Sequence, residues 1–273
     1  MNRRHITFGC AGSTLVGTLD LAPGRTGLLI VSGGNELRSG PWSSQRQIAE
    51  TAALAGFPAF RFDRRGVGDS EGENTGFANS ADDIAAAITA FRAHVPTLKR
   101  IVAFGNCDAA SALMLTGGTG IDAMVLANPW TFEPEPETEP DAELQPQTAR
   151  PPMPPSVLRQ HYLRRLANPA ALWRLLSGKV DLARLAASLT EAVRRDAPPS
   201  KLAARMAIGL KRFQGPATIL LAGNDRTAQA FLAQWDRSDP RVRICPGASH
   251  SFVEPPARIW LQGQILAALR SLD

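Results

Sequence analysis

Three residues carry side chains that could act together on a carbonyl group: Cys107, Asp225 and His250. They occur in the order nucleophile, acid, base, the order in which a strand-helix scaffold presents a hydrolytic triad. Cys107 stands in Gly105-Asn106-Cys107-Asp108-Ala109, a Gly-x-Cys-x-Ala pattern where Gly-x-Ser-x-Gly is commoner. A nucleophile on a sharp strand-to-helix turn needs small residues two positions to either side, because larger side chains collide where the backbone doubles back. A thiolate is intrinsically more nucleophilic than a hydroxyl, and both a helix N-terminus and an adjacent imidazole favour it. The competing reading of Cys107 is a small buried residue at a strand end. The presence of an acid and a base downstream in the right order decides for the nucleophile.

Asp225 follows the strand-like residues Ile219 to Gly223. A carboxylate at the carboxyl end of a strand can hold an imidazole in the required tautomer, although Asp225 could equally cap a helix starting near Thr227. Asp236 and Asp239 are weaker candidates, on or after that helix. His250 lies in Gly247-Ala248-Ser249-His250-Ser251-Phe252, a loop after the last strand, and is the one histidine of the C-terminal third. His5 and His94 fit no such position, nor does His161, which with Tyr162 could border the pocket. An oxyanion hole needs backbone N–H groups aimed at the developing charge. One is expected from Asp108, directly after the nucleophile. The other is expected from Gly33-Gly34-Asn35, with Gly34 and Asn35 both open as the donor. Cys10 and Cys245 fall in strands and read as core residues.

The elements that must position these groups alternate. Residues 4–22 read as a β-hairpin and residues 27–32 as a buried strand. A helix is expected over 43–55, a strand over 57–62, and a glycine-rich loop over 63–70. A helix over 80–94 begins with Ser80 as N-cap and Asp82 and Asp83 in its first turn, where anionic groups suit the helix dipole. A strand at 101–104 runs into the Cys107 elbow, with helix at 111–115 and strand again at 121–127. The pattern resumes with strands at 216–222 and 241–245 and helices at 227–236 and 256–271. Such alternation implies an α/β fold, a mostly parallel sheet with helices on both faces. The core comprises 1–128 and 213–273. Between them, 129–212 reads as a lid insertion, with a Pro/Glu-rich segment at 133–155 expected to be mobile and a basic helical block at 156–212.

Hydrophobic residues make up 44% of the 273-residue chain and charged residues 20%, a balance that can bury a core. The net charge of +5 is too mild to argue for nucleic-acid binding. No apolar run reaches the length of a membrane span, and the start of the chain reads as a strand. Three widely spaced cysteines suggest neither a disulfide framework nor zinc, and point to a cytoplasmic protein. No cofactor or metal motif is expected. The loop after Asp63 lacks the Gly-Lys-Ser/Thr of a phosphate loop and the third glycine of a dinucleotide loop.

With these motifs placed, the chain resembles the exosortase A system-associated hydrolase type 1 family of the α/β-hydrolase superfamily. The resemblance runs through Gly33-Gly34, Phe60-Arg61-Phe62-Asp63-Arg64-Arg65-Gly66-Val67-Gly68-Asp69-Ser70 and Gly105-Asn106-Cys107-Asp108-Ala109-Ala110. It continues in Asn128-Pro129-Trp130, His161-Tyr162, Leu175-Leu176-Ser177-Gly178-Lys179, Gly223-Asn224-Asp225 and Ser249-His250-Ser251-Phe252. It implies the α/β-hydrolase fold and a bacterial protein associated with exopolysaccharide and protein-sorting genes. The leading expectation is hydrolysis of an ester or thioester through an acyl-cysteine, on a small-molecule or carrier-bound acyl substrate. Acyl transfer with the same residues and a non-catalytic scaffold are the alternatives. Arg159, Arg164, Arg165, Arg174 and Lys179 could steer an anionic acyl carrier.

Overall fold

The computed structural model describes residues 2–132 and 199–273 of the chain. The Pro/Glu-rich segment 133–155, His161, Tyr162 and the basic residues from Arg159 to Lys179 lie outside the described residues, so the expectations placed on them are not addressed by it. The described elements are β1 (Asn2–Cys10), β2 (Ser13–Leu21), β3 (Thr26–Val31), α1 (Ser44–Leu54), β4 (Ala59–Phe62), α2 (Ala81–His94), β5 (Arg100–Asn106), α3 (Asp108–Leu115) and β6 (Ala123–Ala127). After the gap come α4 (Lys201–Arg212), β7 (Ala217–Ala222), α5 (Arg226–Gln234), β8 (Val242–Cys245) and α6 (Pro255–Arg270).

The strands form one eight-stranded sheet in the order β1-β2-β4-β3-β5-β6-β7-β8. The hairpin β1–β2 and the β2–β4 pair are antiparallel, and every pairing from β4 to β8 is parallel. Central strands are buried on both faces, which is why they read as continuous apolar runs rather than alternating ones. Their side chains nonetheless divide by parity. Leu29, Val31, Ala103, Leu126, Ile219 and Leu221 join one core cluster with residues of α2, α3, α4 and α5. Leu28, Ile30, Val102, Phe104, Val125 and Leu220 join another with α1 and α6. On α6 the contact face is Ala257, Leu261, Ile265 and Leu269, spaced at one turn, as a helix lying on a sheet requires.

The C-terminal end of the stretch expected as lid is the helix α4. Its Leu202, Met206 and Leu210 are buried in the same cluster as Leu113 and Met114 of α3. A Cβ on Gly209 would come within 2.0 Å of the Met114 carbonyl oxygen, so the two helices meet at backbone distance. Among the described residues, no helix is long and apolar enough to cross a membrane.

Candidate active site

The elbow begins with strain. Cys107 has φ 60° and ψ −127°, a conformation that costs a non-glycine residue on the order of 1–3 kcal/mol. Its neighbours make that geometry possible. A Cβ on Gly105 would lie 2.7 Å from the Ala109 backbone carbon, and Ala109 itself is fully buried. The turn is fixed from below: the Cys107 N–H donates to the Ala127 carbonyl of β6 at 2.9 Å, and its own carbonyl accepts the N–H of Trp130 at 3.3 Å. The helix after Cys107 starts at once, with Asp108, rather than at Ser111 as the sequence suggests. Cys107 is partly accessible, whereas Cys10 and Cys245 are buried. Burial and Asp83 push the Cys10 thiol up to about 11, and burial likewise raises that of Cys245.

Asp225 performs both functions the sequence left open. Its Oδ2 accepts the Ala228 N–H at 3.0 Å as the N-cap of α5, and also pairs with His250 Nδ1 at 2.9 Å. Burial disfavours a charged imidazole, but hydrogen bonds with Asp225 and with Cys107, and the charges of both, outweigh it and raise the His250 pKa to about 10. The ring therefore lies between the carboxylate and the sulfur. Asp236 and Asp239 are engaged elsewhere, with Ser238 and Arg241 respectively.

Several residues without an expected role surround Cys107, Asp225 and His250. Asn128, fully buried at the end of β6, donates from Nδ2 to the His250 carbonyl at 2.9 Å and to Asn106 Oδ1 at 3.0 Å. Its Oδ1 accepts the Ala222 N–H at 2.8 Å. Ser32 Oγ donates to Gln45 Oε1 at 2.8 Å, and Gln45 Nε2 reaches Glu36 at 3.3 Å. Burial and the nearby Asp108 push the Glu36 carboxyl above its ordinary range, while His250 and Arg64 oppose the shift. Arg64, buried, donates to the Gly34 carbonyl at 2.5 Å.

One of the expected oxyanion donors is engaged. The Gly34 N–H donates to the Asp108 carboxylate, at 2.8 and 2.7 Å to its two oxygens. Burial raises the Asp108 pKa, against the pull of Arg64 and of backbone N–H groups. The Asn35 side chain bonds to Asn74 at 2.7 Å, away from this contact.

The glycine-rich loop after β4 is a brace. Asp63 accepts the Arg38 N–H at 2.6 Å and pairs with its guanidinium, Ser70 Oγ returns to the Asp63 carbonyl at 2.7 Å, and Arg65 pairs with Asp83 at 2.5 Å. Of its charged residues, Arg64 is the one turned to the elbow. No group of three or more His, Cys, Asp or Glu residues suited to a metal occurs among the described residues.

Solved structures similar in fold include the esterase Pf2001 of Pyrococcus furiosus, with a TM-score of 0.60 and 14% identity over 99% of this chain and 92% of that one. The alpha/beta hydrolase GrgF from Penicillium sp. sh18 gives 0.61 and 16% over 99% of both chains. Est1E from Butyrivibrio proteoclasticus, solved with ferulic acid, gives 0.60 and 16% over 97% of this chain and 99% of that one. No curated protein matches the chain significantly in sequence. Residues 28–260 match the alpha/beta hydrolase family, a span that runs from β3 into α6 and takes in the elbow, Asp225 and His250, and the chain belongs to that family.

Proposed function

We propose that this protein hydrolyses an ester or thioester through an acyl-cysteine intermediate, with Cys107 as nucleophile, His250 as proton carrier and Asp225 as the residue that orients it. The observation that carries the reading is the line Asp225–His250–Cys107: a ring held at Nδ1 by a carboxylate at 2.9 Å and facing a sulfur on a strained elbow. His250 holds the thiol proton and the sulfur attacks the carbonyl carbon. The tetrahedral oxyanion is received by the N–H of Asp108 and by one from the Gly34–Asn35 turn. Collapse breaks the bond to the leaving group, which takes the proton from His250 and leaves a thioester on Cys107. Water then gives a proton back to His250 as it attacks that thioester, and the released acid restores the starting pair. The esterase relatives in fold support an ester-class substrate, the widely spaced cysteines support a cytoplasmic location, and the sequence resemblance supports a role beside bacterial exosortase and exopolysaccharide systems. No nucleic acid, metal or cofactor enters this scheme.

Selective alkylation tests it. Iodoacetamide at neutral pH should label Cys107 and spare Cys10 and Cys245, whose thiols are buried and raised. Cys107→Ala should fold and lose turnover of p-nitrophenyl esters. Unchanged turnover in a folded Cys107→Ala protein would overturn the mechanism, and failure to label Cys107 in the native chain would favour a non-catalytic scaffold.

A further inference from the structure

The N-terminus of α3 beside the nucleophile is filled by the chain itself. The Asp108 carboxylate takes the Gly34 N–H with both oxygens, at 2.8 and 2.7 Å, and is further stabilised by the N–H groups of Ala109 and of Asp108. The cradle is shaped for it. A Cβ on Gly33 would come 2.3 Å from Asp108 Oδ1, so any other residue there would expel the carboxylate. Arg64, only 3% exposed, fixes the Gly34 carbonyl from the other side and brings its Nη2 to 3.7 Å from Asp108 Oδ2. A glycine void, a turn N–H, a helix start and a buried guanidinium together make an anion site. With Gly34 taken as the turn donor, these are also the N–H groups that a tetrahedral oxyanion needs. Two anions cannot share them.

We propose that Asp108 is the specificity-determining residue of this site: its carboxylate occupies the oxyanion hole at rest and yields it most readily to acyl groups that carry a positive charge near the carbonyl. The inference rests on Cys107 being the nucleophile. Its second half follows from the charges around the carboxylate. In place, the Asp108 carboxylate already acts on Glu36, another partly buried carboxyl, with Arg64 at 3.7 Å as their nearby cation, and a carboxylate that gives up the Gly34 N–H would lose its main donor while keeping that repulsion. The other positive group facing them, His250, is already paired with Asp225. A cationic acyl group supplies the missing partner as the carboxylate moves out, and a neutral one does not.

The test compares p-nitrophenyl acetate with glycine p-nitrophenyl ester on the wild type, Asp108→Asn and Asp108→Ala, alongside iodoacetamide alkylation of Cys107, which needs no oxyanion hole. Asn keeps a side-chain acceptor at the helix start and guards against loss of fold, which melting curves monitor. Expected are a rise of about tenfold or more in kcat/KM for the acetate ester in Asp108→Ala, a smaller rise in Asp108→Asn, whose neutral amide oxygen still accepts but more weakly, and a fall in the glycine-to-acetate ratio in both. Alkylation of Cys107 should continue in all three proteins. An acetate rate that stays level or drops in folded, alkylated variants overturns the proposal, as does an unchanged glycine-to-acetate ratio. Wild-type protein in which Cys107 resists alkylation overturns the nucleophile assignment itself, and this inference with it.

Discussion

Replacing Asn128 by alanine should cost about 4 kcal/mol of stability and slow turnover without touching a reacting atom. Asn128 has φ 43°, a left-handed conformation that alanine adopts at a cost of roughly 1 kcal/mol. Its side chain makes three hydrogen bonds at 2.8–3.0 Å, to Ala222 N–H, Asn106 and the His250 carbonyl, in a fully buried position. Each is worth about 1 kcal/mol net, and the Ala222 N–H is left behind in the core. The two contributions give the total. Asn128→Gly separates them, because glycine accepts the backbone angle and should lose about 1 kcal/mol less. Urea unfolding measures both. The His250 carbonyl also loses its shortest anchor, so kcat should fall by roughly ten- to a hundredfold with KM little changed, since sub-ångström misplacement of a base is felt in the chemical step. If Asn128→Ala unfolds within 1 kcal/mol of wild type and turns over normally, the network does not hold the histidine loop and the argument fails.

Other expectations follow from the same geometry. Asp225→Asn keeps an oxygen for the Ala228 N–H, so α5 stays capped, while His250 loses its carboxylate: its pKa should drop from about 10, the melting temperature near neutral pH should fall with the lost pairing, and kcat should drop by about 10²–10⁴. NMR titration of the ring and steady-state kinetics read the two effects, and a His250 titration unmoved by the change would contradict the pairing. Gly105→Val should lose more than about 3 kcal/mol or fail to fold, because a side chain there meets the Ala109–Ala110 backbone at 2.7–2.9 Å. A Gly105→Val protein of near-native urea midpoint would refute this. The folded His250 binds its proton more tightly than an ordinary histidine, with a pKa of about 10 against 6.5. Its pairing therefore stabilises the fold fully below about pH 6.5 and is lost as pH rises through 10. The melting temperature of the wild type should fall between pH 7 and 10 more steeply than that of His250→Gln, and parallel profiles would count against a charged pair.

Cys107, Asp225 and His250 are legible as candidates because each stands at a place that local rules mark. Gly105 and Ala109 are small for a reason visible in the sequence, and the apolar runs of β3, β5, β6 and β7 show up without knowledge of their partners. Asp225 carried two readings that local rules could not separate, and it satisfies both, since one carboxylate oxygen accepts from a helix N–H and an imidazole together. The start of α3 lies three residues earlier than expected, at Asp108 instead of Ser111, because the chain passes from the Cys107 turn directly into helix. Asn128, Glu36 and Arg64 were missed as site residues for a different reason. Which way a loop side chain turns depends on strands that are distant in sequence, and nothing in Asp63-Arg64-Arg65-Gly66 says that Arg65 faces Asp83 while Arg64 faces Gly34. A buried polar residue directly after an apolar strand, as Asn128 is after β6, was the one usable signal, since such a group must find partners.

The sheet order explains why that asparagine is needed. Cys107 follows β5 and His250 follows β8, and these strands are separated by β6 and β7. Neighbouring strands lie about 4.8 Å apart, so the strands that lead to Cys107 and to His250 end roughly 14 Å from each other. The loop carrying His250 must travel back across two strand ends to reach the sulfur. It is tied down at each. At the end of β7 the Asn224 N–H donates to the Ala248 carbonyl at 2.9 Å. At the end of β6 Asn128 takes the His250 carbonyl at 2.9 Å, and at the end of β5 Asn106 reaches the same carbonyl at 3.5 Å. Three asparagines on three successive strands thus guide one loop to the elbow. Asparagine suits the task because one side chain can both donate to the loop and accept from a strand N–H, as Asn128 does, and because it tolerates the left-handed backbone found there. An aspartate at 128 would turn the donor facing the His250 carbonyl into a second acceptor, and should displace the loop more than alanine does.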